Sequence, residues 1–244
     1  MRMPDNKQIG QLCPAESMSA QHRDNPLAQY FVRNQRRPLY KWHHYFEIYH
    51  RHFQHFRGTS PVVLEIGVFH GGSLQMWRDY FGAGAKVVGI DIDPRCRQFE
   101  DDATTVLIGD QADAAFLADV RKRFPRIDIV VDDGGHMMNQ QIVSFRELYP
   151  HVQPNGVYLC EDVHTSYNPR WDGGLRRPGT FIEFSKTLID ALHGWYFVPG
   201  GDELDVHTAG TYSLSFYDSI VVVEKRPIQP PRVSITGQES FQGR

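Results

Sequence analysis

Cysteine is scarce in this chain: Cys13, Cys96 and Cys160 are widely spaced and odd in number. That pattern argues against a disulfide framework or a zinc site, and a reducing cytoplasm is the expected location. Long apolar runs are also missing. No stretch approaches the ~18 residues that a membrane helix needs. The opening "MRMPDNKQIGQLCPAESM" has no apolar centre of a signal peptide. Charge of one sign is not in excess either. Against 26 basic residues stand 29 acidic ones, a net charge of −3, so the basic surplus of a nucleic-acid binder is absent. Two phosphate-binding signatures are missing as well. Val68 and Phe69 follow Gly67, which breaks the dinucleotide pattern G-x-G-x-x-G, and no Gly-Lys-Ser/Thr ending occurs. No internal repeat is visible.

What is present is alternation. Hydrophobic residues make up 41% of the chain and charged ones 23%, which fits a folded enzyme better than a disordered chain. Residues 1 to about 25 are polar and proline-containing, and are expected to be loosely ordered. Helical patterns follow in "NPLAQYFVRNQ" and in "YKWHHYFEIYHRHFQHF", residues 40–56. "PVVLEIGVFHGGSLQMW" then reads as strand, glycine turn and helix. "AKVVGIDIDP", "TTVLIGDQAD", "IDIVVDDGGH" and "GVYLCEDVH" read as four more strands. "DAAFLADVRKRF", "MNQQIVSFRELYPHV" and "TFIEFSKTLIDALHGW" are helices. "TYSLSFYDSIVVVEK" is a hairpin turning near Asp218. The expected fold is α/β: a Rossmann-like, mostly parallel seven-stranded sheet, helices on both faces, closed by an antiparallel hairpin. Residues 38–226 would be this domain. Residues 1–37 would form a partly helical extension and 227–244 a polar, proline-rich tail.

In such sheets ligands bind beyond the carboxyl ends of the strands, and here those ends are polar. The first turn runs from Glu65 to Ser73, where Gly67 and Gly71 let backbone approach a ligand at a helix start. Asp91 ends the second strand and suits the two hydroxyls of a ribose. Asp110 and Gln111 end the third and could read an adenine edge. A ribose and an adenine without phosphates suggest S-adenosylmethionine.

The fourth strand runs straight into Asp132, Asp133, Gly134, Gly135 and His136. Carboxylates are costly to bury unpaired, so these acids cap a helix or hold a ligand. Asp132 has two readings, toward the cofactor's amino-acid part or as a cap. The two glycines leave space for a substrate. Five histidines crowd residues 43–55 (His43, His44, His50, His52 and His55). With no carboxylate ligand set beside them, they read as partly exposed, aromatic-like surface rather than a metal site.

"VLEIGVFHGGSLQMW", "VVGIDIDP" and "IGDQAD" resemble the first three motifs of the class I S-adenosylmethionine-dependent methyltransferases. With "DIVVDDGGHMMNQQIVSFRELYP", "GVYLCEDVHTSY" and "GTFIEFSKTLID", the chain resembles a narrower group, the metal-dependent sugar O-methyltransferases of natural-product pathways. That resemblance implies cofactor contacts from Glu65, Gly67, Gly71, Ser73, Asp91, Asp110, Gln111 and Asp132. It implies magnesium or another divalent ion held by Asp133, Glu161 and Asp162, and His136 as the base. Glu161 and Asp162 are adjacent, so both reach one ion only if the chain turns at the strand end. His164, Tyr167 and Trp171 are expected near the acceptor, the last two as a sugar-binding wall. The expected partners are a hydroxylated small molecule, a glycoside first of all, and further copies of the chain. Nucleic acid and membrane are not expected. Two alternatives remain open: a methyltransferase of another hydroxylated metabolite such as a catechol, and an inactive cofactor-binding protein.

Overall fold

A computed structural model describes residues 24–196 and 210–238, together with Met18, His22 and Ser240. Most of the stretch expected to be loosely ordered at the N-terminus lies outside these residues. Seven strands form one sheet: β1 (Val62–Ile66), β2 (Lys86–Asp91), β3 (Thr104–Ile108), β4 (Ile129–Asp132), β5 (Val157–Cys160), β6 (Thr211–Tyr217) and β7 (Ile220–Lys225). The helices are α1 (Pro26–Arg33), α2 (Tyr45–Phe53), α3 (Gly72–Phe81), α4 (Ala114–Arg123), α5 (Met138–Leu148) and α6 (Phe181–Leu192). The strand order is β3-β2-β1-β4-β5-β7-β6. Strands β1 to β5 are parallel, and β7 runs antiparallel to both its neighbours. The expected architecture is therefore the observed one.

Successive strand residues point to opposite faces, and the apolar runs of β1, β2, β4 and β5 fill both. Val63, Val87, Ile129, Val131 and Leu159 join a core with α1, α2 and α3. Leu64, Val88, Val130, Tyr158 and Cys160 join a second core with α4, α5 and α6. Helix α1 buries Leu27 and Ala28 in the first core. It packs there with the domain, although it lies in the expected extension. Among the described residues no helix is long and apolar enough to cross a membrane.

The expected helix over 40–56 is shorter. Residues 38–42 have neither helix nor strand structure, α2 begins at Tyr45, and a 3₁₀ turn closes it at Gln54–Phe56. Tertiary packing overrides the local periodicity here. The Pro38 carbonyl sits so close to Gly72 that a Cβ there would lie 2.2 Å away, and Lys41 is drawn into the protein. Three of the histidines act as struts rather than loose surface. His52 is buried and joins the Tyr217 hydroxyl (2.9 Å) and Glu224 (3.1 Å). His50 meets the Tyr80 hydroxyl at 2.8 Å, and His44 meets the Asp218 carbonyl at 3.0 Å.

The chain builds β1, β2 and β3 outward on one side, then returns to place β4 on the other side of β1. This reversal opens a crevice at the carboxyl ends of β1 and β4, where ligands bind in such sheets. Gly67 makes the crevice possible. Its φ is +93°, and a Cβ would lie 2.1 Å from the Asp133 carbonyl oxygen. Gly67→Ala should cost about 2 kcal/mol or more, from strained backbone and clash together. Denaturant unfolding with an unchanged midpoint would contradict this.

Glu65 ties β1 to α3. Its carboxylate is buried and accepts from Ser73 Oγ (2.7 Å) and Trp77 Nε1 (3.1 Å). Burial pushes its pKa up to about 7, opposed by the Lys41 charge and the Ser73 bond. The folded chain thus keeps a proton that the unfolded chain releases near pH 4.5. Stability from this group therefore falls as pH rises from about 4.5 to 7, by roughly 3 kcal/mol. Glu65→Gln should lack that slope, so its stability relative to wild type should improve across the window and level off above it. A pH-independent difference between the two unfolding curves would contradict the assignment.

Candidate active site

One cavity of about 690 Å³ lies at the carboxyl ends of β1 to β4, roofed by residues 38–42. Its size is ordinary for a small-molecule site, about 300–1,000 Å³. One end is built from the glycine turn and the ends of β2 and β3. Asp91 lines it, but its first task is local. Its Oδ2 accepts from the amides of Val68 (2.8 Å) and Phe69 (3.0 Å), and its Oδ1 accepts from Asp93 (2.9 Å). The carboxylate thereby fixes the glycine turn, which needs help because Phe69 has φ +51°. A carboxylate has about four acceptor positions, so one remains for a ligand hydroxyl. Asp110 also lines this end, exposed, with Oδ1 taken by the Ala112 amide.

Several expected cofactor contacts are placed elsewhere. Glu65 does not line the cavity, because it faces Ser73 and Trp77 behind the turn. Ser73 lines it but spends its proton on Glu65. Gly71 is not in the lining; with φ +70° it caps α3. Asp132 neither reaches the cavity nor caps α5. It is buried, accepting from Gln111 Nε2 (3.0 Å) and the Tyr158 hydroxyl (2.8 Å). Burial pushes Asp132 up to about 7, against those two bonds. Gln111 touches the cavity, yet its amide nitrogen serves Asp132 and Ser144, and its oxygen accepts from Gly135 N at 2.7 Å. No donor is left for an adenine edge. Gly134 and Gly135 both line the cavity, and a Cβ on Gly134 would meet the side-chain oxygen of Gln111, one on Gly135 that of Gln140.

The other end is acidic. Asp133 follows β4, and Glu161 and Asp162 follow β5. Strand pairing brings them together, since Glu161 N donates to the Asp132 carbonyl at 2.9 Å. The turn that adjacent acids require is present. Asp162 has φ +52° and ψ +32°, a left-handed backbone costing roughly 1–2 kcal/mol outside glycine. His136 is left-handed as well, at φ +58°. Thr165 Oγ1 holds the two loops, 2.8 Å from the Asp162 carbonyl and 3.2 Å from that of His136. Tyr45 donates its hydroxyl to Asp162 Oδ1 at 2.6 Å.

The three expected metal ligands divide into two sides. Asp133, Asp162 and His136 line the cavity, and one ligand atom from each lies within 4.8 Å of the others. His136 Nε2 is 3.6 Å from Asp162 Oδ2 and 3.9 Å from Asp133 Oδ1. Glu161 is buried behind them, outside the lining. Lys41 joins the sides: its ammonium donates to Asp133 Oδ2 at 2.6 Å and to the Glu161 oxygens at 2.8 and 2.9 Å. Burial pulls the Lys41 pKa down, but Asp133, Glu161 and Glu65 outweigh it and leave it raised. Burial and the Asp133 charge drive Glu161 up, while Lys41 opposes them. Hard carboxylate oxygens facing an open cavity suit a divalent ion such as magnesium. Asp133 and Asp162 offer such oxygens with His136 beside them, so the residues present fit such an ion.

Tyr167 and Trp171 are the residues expected to form a sugar wall. Neither lines the cavity: Tyr167 is half exposed, and Trp171 packs against the second core. His164 is also outside it, with Nδ1 2.5 Å from Ser219 Oγ. The aromatic lining beside the acids is Trp42, whose ring meets His164 edge-on at 5.9 Å. Lys41 and Trp42 were missed as site residues because they sit inside a segment whose periodicity reads as helix. The only sequence signal was Pro38, a natural break just before them.

Residues 64–163 match a family described as a methyltransferase domain. The 8-demethyl-8-alpha-L-rhamnosyl tetracenomycin-C 2'-O-methyltransferase of Streptomyces olivaceus is 38% identical over 197 residues, 76% of this chain and 52% of that protein. The mycinamicin VI 2''-O-methyltransferase of Micromonospora griseorubida is 41% identical over 155 residues, 59% of this chain and 38% of that protein. This chain spans 38% to 52% of the length of the curated relatives it matches. The MycE methyltransferase of the mycinamycin biosynthetic pathway, solved with Mg, SAH and mycinamycin VI, superposes with a TM-score of 0.72. It is 31% identical, over 83% of this chain and 53% of that one. Residues 64–163 thus carry a methyltransferase domain, and the chain shares its fold with the MycE methyltransferase of the mycinamycin biosynthetic pathway.

Proposed function

We propose that this chain transfers a methyl group from S-adenosylmethionine to a hydroxyl of a sugar on a natural product, assisted by a divalent ion. The observation that carries the reading is the meeting of Asp133, Asp162 and His136 in the cavity that Asp91 and the glycine turn also line. The relatives named above support the class of acceptor. Their names concern a rhamnosyl tetracenomycin-C and mycinamicin VI, and the MycE structure holds mycinamycin VI.

Each residue has a distinct task. Asp91 and Asp110 offer acceptors at the cofactor end. Asp133 and Asp162 would hold the ion, with Glu161 contributing charge from behind. Bound there, a divalent ion supplies Lewis acidity that lowers the pKa of a sugar hydroxyl. His136 Nε2 would take that proton, and the flanking carboxylates would stabilise the imidazolium that results. Held beside Asp91 and the glycine turn, S-adenosylmethionine would supply the methyl group that this hydroxyl oxygen accepts. Much of the remaining gain would come from holding the two reactants in line. A cytoplasmic location suits the buried free thiols of Cys96 and Cys160. Self-association belongs to the same reading, with half-exposed Tyr212 and Phe216 on the edge strand β6 as its contact, and light scattering would read it.

The experiment is turnover of labelled S-adenosylmethionine on a panel of rhamnosides and deoxysugar glycosides. Activity should vanish in chelator and return with magnesium; activity unaffected by chelator would sink the metal reading. Asp91→Ala should weaken cofactor binding by ~1–3 kcal/mol in calorimetry. Unchanged affinity would remove Asp91 from the cofactor site. His136→Ala should slow turnover ~10²–10⁴-fold while cofactor still binds, and His164→Ala should be far less affected. The reverse pattern would move the base to His164.

A further inference from the structure

Tyr45 stands behind the acid cluster, outside the cavity lining and 1% exposed. It opens α2, and its ring belongs to the first core. The rings of Trp42, His44 and Tyr49 surround it, with centroids 4.7 to 6.4 Å away. The core, rather than the loop it meets, therefore sets where its hydroxyl lies. That loop carries Asp162, and the hydroxyl donates to Asp162 Oδ1 at 2.6 Å. This is the length of a charge-assisted bond, about 2.5–2.7 Å. Among the described residues no other hydrogen bond holds this carboxylate.

The two acids that line the cavity are held alike. Each has one oxygen taken from behind and the other turned toward His136. Lys41 takes Asp133 Oδ2, and Oδ1 lies 3.9 Å from His136 Nε2. Tyr45 takes Asp162 Oδ1, and Oδ2 lies 3.6 Å from the same nitrogen.

We infer that Tyr45 orients Asp162 for the divalent ion, fixing one oxygen so that the other is presented to the cavity. Asp162 needs such a hold. It sits at the strand end with φ +52°, its side chain caps no helix, and the last torsion of an aspartate is broad when nothing restrains it. The hydroxyl has one proton, and geometry gives it to Asp162. The Ser219 carbonyl lies farther off, at 3.4 Å, and already accepts from Val163 N at 3.1 Å. That last bond ties the turn between β6 and β7 to the same loop, so α2 and the turn hold it from two directions. Being outside the lining, Tyr45 touches no ligand and acts on the ion only through Asp162. It is a positioning residue, and its role rests on the metal reading above. Partners of this kind typically change metal affinity by about 10–100-fold.

The experiment measures Mn²⁺ binding to the purified full chain by electron paramagnetic resonance, and S-adenosylhomocysteine binding by calorimetry. Tyr45→Phe keeps the ring and removes only the hydroxyl. It should bind Mn²⁺ about tenfold or more weakly, with S-adenosylhomocysteine affinity within about twofold of wild type. Its turnover on the glycoside panel should recover as Mg²⁺ is raised, which a damaged fold would not allow. Mn²⁺ affinity within about threefold of wild type would overturn the role of Tyr45 and leave the metal reading standing. A folded variant that loses S-adenosylhomocysteine along with Mn²⁺ would make Tyr45 merely structural, and overturn it too. A wild-type chain that binds no Mn²⁺ would overturn the metal reading and this role with it. Should Tyr45→Phe not fold, a wild-type crystal grown with Mn²⁺ decides the matter. The anomalous peak should lie beside Asp162 Oδ2 with the Tyr45 hydroxyl still on Oδ1. A peak beside Oδ1, with that hydroxyl displaced, would overturn the assignment.

Discussion

The contact between the Lys41 ammonium and the carboxylates of Asp133 and Glu161 is the constraint on which the site depends. Parallel pairing of β4 and β5 delivers three acids to one sheet edge, and α2 adds the hydroxyl of Tyr45. Like charges so placed raise one another's cost of ionisation, and leaving water costs several kcal/mol per ion. A buried ammonium offsets part of both costs. The same contact determines the course of the chain before α2. With Lys41 drawn inward, residues 38–42 become the roof of the cavity, and Trp42 comes to line it beside the acids.

Among the described residues eight non-glycine positions have positive φ, and three of them line the cavity. Phe69, His136 and Asp162 all adopt left-handed conformations, and all three line the cavity. Each lies at the carboxyl end of a strand and turns a side chain or an amide toward the crevice. Local bonds hold the strained positions: Asp91 with the amides of Val68 and Phe69, and Thr165 with the carbonyls of His136 and Asp162. Strain of this kind persists only when surrounding contacts overdetermine it.

Behind the cavity lies a second layer of polar residues, of which Gln111 also reaches the lining. Glu65 binds β1 to α3, and Asp132 joins Gln111 and Tyr158. Gln111 in turn holds the Gly135 amide, which places the loop bearing His136. Both carboxyl groups sit near neutrality because burial disfavours their charge. These residues type as site residues by position and act as supports for it. A side chain at a strand end either faces the crevice or faces back into a core, and the strand alone does not say which.

Local pattern alone determined much of this protein. Alternating β-branched runs and helix periods specify the sheet and its order of elements, because burial on two faces demands that spacing. The acids after β4 and β5 announce a polar site at the same sheet edge, because a single helix crossover returns the chain to the neighbouring strand. Only the tertiary structure decided who meets whom within the site. Lys41 finds Asp133 across 92 residues and Glu161 across 120. It lies in a segment whose own periodicity reads as helix. Gln111 and Asp132 satisfy each other, while Tyr167 and Trp171 lie outside the lining of the cavity that Trp42 lines. Propensity and period act over a few residues, whereas charge pairing and the filling of space act between whatever segments the folded chain brings into contact.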